Sequence, residues 1–114
     1  MTLFELKELL QAKVITNHIS LDININTVIA SDLMSDVLHL ATPAELLLTG
    51  LTNNQAVRTC EIAEIKAIIF VRGKVPSRET IKLAEECNIP LLSCNFSMFE
   101  ACGILYTKGI KSPR

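Results

Sequence analysis

Ala67-Ile68-Ile69-Phe70-Val71-Arg72-Gly73 is the stretch that decides the fold class. Five apolar residues in a row, closed by a polar residue and a glycine, read as a strand buried on both faces. The same reading applies upstream to Leu46-Leu47-Leu48-Thr49-Gly50 and downstream to Leu91-Leu92-Ser93-Cys94. Helical spacing fills the gaps. From Asn54 to Ile65, Ala56, Cys60 and Ala63 fall on one face, with Val57 widening the stripe. After Pro76, Ser77 can cap a helix whose inner face is Thr80, Ile81, Ala84 and Cys87, with Asn88 and Pro90 stopping it. Ser97 and Glu100 form a capping box, opening a helix that runs to about Lys108 and ends at Gly109. Continuous apolar strands alternating with amphipathic helices predict an α/β three-layer sandwich, its mainly parallel sheet built from consecutive βα units.

The first half is less regular. Thr2 and Glu5 form another capping box, predicting a helix to about Gln11, followed by a short strand at Lys13 to Thr16. Leu21 to Ile25 alternates apolar with polar and reads as a half-exposed strand or ribbon. Thr27 to Ala30 reads as a strand entering Ser31-Asp32-Leu33-Met34-Ser35-Asp36-Val37-Leu38, where two Ser and two Asp open an apolar helix to about Leu40. Such residues accept hydrogen bonds from free N–H groups and suit the positive end of a helix. Thr42-Pro43 breaks the chain before the next strand.

A length of 114 residues predicts one domain over 1–114, and an apolar content of 49% with no Trp predicts an aliphatic core. The net charge of −1, without a basic cluster, argues against nucleic-acid binding. No apolar run approaches the ~20 residues of a membrane span. Acidic Glu5 and Glu8 stand where a signal peptide would be basic, and the expected location is the cytoplasm. Cys60, Cys87, Cys94 and Cys102 form no C-x-x-C pair and lie apart from His18 and His39, so four reduced core thiols are expected, with no metal site or cofactor.

In an open parallel sheet, ligands sit outside the carboxyl ends of the strands. The loops expected there run through Ser31 to Asp36, Thr49 to Asn54, Arg72 to Lys74 and Cys94 to Ser97; within them Ser31, Asp32, Ser35, Asp36, Thr49, Asn53, Arg72 and Asn95 are the candidate ligand or interface positions. No P-loop is present: Leu48-Thr49-Gly50-Leu51 has one glycine and no following Lys. No nucleophile and base pair up, so no catalytic residue is assigned. The alternative is a small metal-dependent enzyme using Asp32 and Asp36 one helical turn apart.

The run Val28 to Leu38 resembles the signature of DRTGG-type domains, as do Ala67 to Gly73, Pro76 to Glu79, Ile89 to Ser93 and Phe99 to Tyr106, which together cover nearly the whole chain. The resemblance implies a fold similar to the N-terminal, non-catalytic domain of HPr kinase/phosphorylase, without the P-loop half that carries kinase activity. Related domains sit beside CBS domains in regulatory pyrophosphatases, where they help form dimers near a nucleotide-binding region. Small relatives occur among genes for iron-only hydrogenases. The implied function is a non-catalytic regulatory or interaction module, a homodimer sensing a small anionic or nucleotide-like ligand or engaging a protein partner. An Asp-Arg-Thr-Gly-Gly string is absent. The corresponding stretch is Asn24 to Ala30, where Thr27 stands without the glycines.

Overall fold

The computed structural model describes residues 1–40 and 43–113. In chain order its elements are α1 (Leu3–Leu10), β1 (Lys13–Val14), β2 (Val28–Ala30), α2 (Met34–Leu38), β3 (Leu46–Thr49), α3 (Asn54–Ala63), β4 (Ala67–Phe70), α4 (Arg78–Glu86), β5 (Leu91–Ser93) and α5 (Met98–Thr107). The strands form one sheet in the order β1-β5-β4-β3-β2. The four strands from β2 to β5 pair parallel in sequence order, and β1 closes the other edge antiparallel to β5.

Alternation along the central strands divides the core in two. Leu46 and Leu48 of β3, Ala67 and Ile69 of β4, and Leu92 of β5 pack against Leu3, Leu6 and Leu10 of α1 and Ala101 and Leu105 of α5. The intervening Leu47, Ile68, Phe70 and Leu91 face Met34 and Val37 of α2, Ala56, Val57 and Cys60 of α3, and Ala84 of α4. Each central strand is therefore buried on both sides, as its continuous apolar sequence requires. The result is the expected three-layer α/β sandwich.

Both capping boxes form. Thr2 and Ser97 each accept from the backbone N–H three residues on, while Glu5 and Glu100 reach back to the cap N–H. These bonds hold both carboxyls below the usual glutamate range. Ser77 accepts from the Thr80 N–H, and α4 stops before Asn88 in a left-handed conformation.

Two expectations change and a third is narrowed. The helix foreseen from Ser31 to Leu40 is the five-residue α2; its cap, Leu33, makes no side-chain bond, because Ser31 and Asp32 lie before the helix. Leu21 to Ile25 forms no named strand but runs as a ribbon bridged antiparallel to the N-terminus at Thr2 and Asn24, with Leu3 N–H bonding Ile23 O and Ile25 N–H bonding Met1 O. All four cysteines are free, but only Cys60 and Cys94 are buried. Burial pushes the Cys60 thiol up to about 12. Thr42, foreseen as a breaker, lies outside the described residues.

Candidate functional site

The exits of β2, β3 and β4 meet at Asp32. Its Oδ1 accepts from the Gly50 N–H at 2.6 Å and from Thr49 Oγ1 at 3.0 Å, and Thr49 Oγ1 in turn accepts from the Leu51 N–H at 3.0 Å. The bond from Gly50 holds the Asp32 carboxyl below its ordinary range. The Thr49 hydroxyl and the nearby Lys74 and Arg72 charges act the same way, against a partial desolvation. Thr49 and Gly50 are buried while Asp32 faces solvent. The N–H that might have cradled an anion is thus already spent on a carboxylate.

Two cations supply what the backbone does not. Lys74 Nζ donates to Gly50 O at 3.3 Å. Arg72 Nη2 lies 3.6 Å from where a Cβ on Gly50 would stand, so both side chains converge over Gly50. Among the described residues neither makes an ion pair within 4.0 Å, and both are exposed.

The Arg72-Gly73 turn is fixed by its neighbour. Arg72 N–H bonds Phe96 O at 2.8 Å and Gly73 N–H bonds Cys94 O at 2.7 Å. Ser93 Oγ donates to Lys74 O at 2.7 Å. Both turn residues have positive φ, 57° and 68°. Gln11 and Glu64, the caps of α1 and α3, and Asn88 just past α4 reach such angles at helix ends and His18 in the loop after β1, whereas Arg72 sits at the carboxyl end of β4. A non-glycine residue there costs roughly 1–2 kcal/mol, and such strain clusters at ligand clamps. At Gly73 a Cβ would also stand 3.0 Å from Asn95 Oδ1. Gly73→Ala should therefore lower stability by about 1–2 kcal/mol, read by urea denaturation.

Of the residues marked from sequence, Asp32, Thr49 and Arg72 come together, and Asn95 borders them across Gly73. Ser31 turns away: its Oγ accepts from the Leu33 N–H in a local turn. Ser35 and Asp36 are exposed on α2, and Asn53 caps α3 without a side-chain bond. Because Asp32 precedes the helix, the four-residue spacing to Asp36 does not stack the two carboxylates on one helical face. Among the described residues no group of three or more His, Cys, Asp or Glu could hold a metal. Gly50 and Lys74 belong to the polar loops expected at this edge but were not among the candidate positions. The available signal was a lysine two positions beyond Arg72 in a glycine turn.

Residues 5–107 match the family model described as the DRTGG domain. The chain belongs to the DRTGG-domain family. The match holds without the Asp-Arg-Thr-Gly-Gly string itself. Among solved structures, this DRTGG domain is similar to the crystal structure of the CBS and DRTGG domains of the regulatory region of Clostridium perfringens pyrophosphatase, complexed with its activator, diadenosine tetraphosphate. The TM-score is 0.71 at 17% identity, over 91% of this chain and 45% of that chain. At that identity the likeness is one of fold, and this chain spans less than half the length of that structure. Among curated proteins none matches. No helix of the described residues is long and apolar enough to cross a membrane.

Proposed function

We propose that this DRTGG domain is a non-catalytic, cytoplasmic regulatory module that works as a homodimer and senses a small phosphorylated ligand of nucleotide type. The observation that carries this reading is the pair Arg72 and Lys74, two exposed cations converging over Gly50 with donors unspent on any carboxylate. A guanidinium fork and a mobile ammonium together suit phosphate oxygens. The fold's neighbour was crystallised with a nucleotide activator, which supports the same ligand class here.

Titration calorimetry with ATP, ADP, diadenosine tetraphosphate and inorganic pyrophosphate tests it. Arg72→Gly is the variant of choice, since glycine accepts φ near 57° without strain and the fold should survive. Losing one charge-assisted contact should weaken binding about tenfold, and raising salt should weaken it further. Absence of heat and of any Tm shift for all four ligands at millimolar concentration would overturn the sensing role.

A further inference from the structure

The outer face of α5 combines exposed apolar surface with a charge of opposite sign at each end. Phe99, Gly103, Ile104 and Thr107 fall at helical spacing on it, with Phe96 just before the helix, the C-cap Lys108 at its end and Glu100 beside Phe99. Phe99 is 88% exposed, although it is a large apolar side chain. Gly103 is the second observation. Glycine is a poor helix former, yet Gly103 lies within α5, and a Cβ there would meet nothing within 4 Å. Among the described residues no packing requires its smallness. Hollows of about 500 Å³ lie on either side of the helix, and Phe99 and Gly103 border both. One of them reaches the β2 edge at Val28 and Ala30 and passes Cys102 and Tyr106.

The charges choose the occupant. Glu100 lies in the first turn of α5 and Lys108 is its C-cap. Glu100 spends Oε1 on its capping box, leaving Oε2 open. A second α5 crossing antiparallel near Gly103 would bring Glu100 of each copy within reach of Lys108 on the other, twice by symmetry. It would also set the two helix dipoles head to tail. A parallel crossing would instead oppose like charges.

We propose that two copies of this chain associate through α5, crossing antiparallel at Gly103, with each Phe99 entering the hollow beside the partner's helix. This rests on the homodimer reading above and locates its surface. Sedimentation equilibrium of the full chain tests it, with circular dichroism confirming the fold of each variant. Gly103→Leu and Lys108→Glu should each raise the dimer dissociation constant at least tenfold. Ile62→Glu, an exposed change on α3, should leave it unchanged. A wild-type dimer insensitive to both α5 variants would overturn this surface while the homodimer reading stands. A wild-type monomer at the highest attainable concentration would overturn both.

Discussion

Phe70→Ala should lower the free energy of unfolding by about 3–5 kcal/mol, the range for deleting a buried aromatic ring. Phe70 has no exposed surface, and it is the first of the large fully buried side chains by volume. It ends β4, the central strand of five, paired to Thr49 of β3 on one side and Ser93 of β5 on the other. Its ring faces the α2, α3 and α4 layer with Leu47 and Ile68. Neighbours held in two hydrogen-bonded ladders cannot move far to refill the space, so the upper part of the range is expected. Domains of this size hold about 5–15 kcal/mol in all, so the variant would sit near the edge of folding. Urea denaturation should show a lower midpoint with an unchanged slope. A loss under about 1.5 kcal/mol would mean that the sheet face collapses around the gap, against the close packing described above.

The sheet was legible because its strands are continuous apolar runs that only two-sided burial explains, and because punctuation between them is strong. Ser77 and Ser97 start helices by capping them, and Asn88 and Gly109, which accept positive φ, stand where they stop. Legibility failed where tertiary bonds override local pattern. Leu21 to Ile25 alternates like a strand, but its hydrogen bonds go to the N-terminal segment, which no local rule foresees. Ser31 and Asp32 have the composition of helix caps. Asp32 nevertheless bonds Gly50, 18 residues on, because the parallel pairing of β2 with β3 brings the two exits together. The strand-edge rule placed Arg72 correctly at that edge, but no one-dimensional signal showed that Lys74 would fold back on Gly50.

Asp32→Ala should cost about 2–3 kcal/mol, whereas Asp32→Asn should cost about 1 kcal/mol. The alanine leaves the Gly50 N–H and the Thr49 hydroxyl, both on buried residues, without their acceptor. Each orphaned donor costs about 1–3 kcal/mol, reduced here because the carboxylate faces solvent and water can enter its place. The amide keeps an oxygen for both donors and loses only the charge. The pH dependence separates charge from geometry. The folded-state pKa of Asp32 lies below its ordinary value of 3.8, chiefly through the Gly50 bond. The stabilisation from its charge is therefore fully present above the unfolded value and is lost as pH falls through the lower folded one. The difference in unfolding free energy between wild type and Asp32→Asn should stay flat from about pH 7 to 5 and shrink toward pH 2, in denaturation curves taken across that range. A pH-independent difference would show that the Asp32 charge adds nothing to the stability of the fold beyond its two hydrogen bonds.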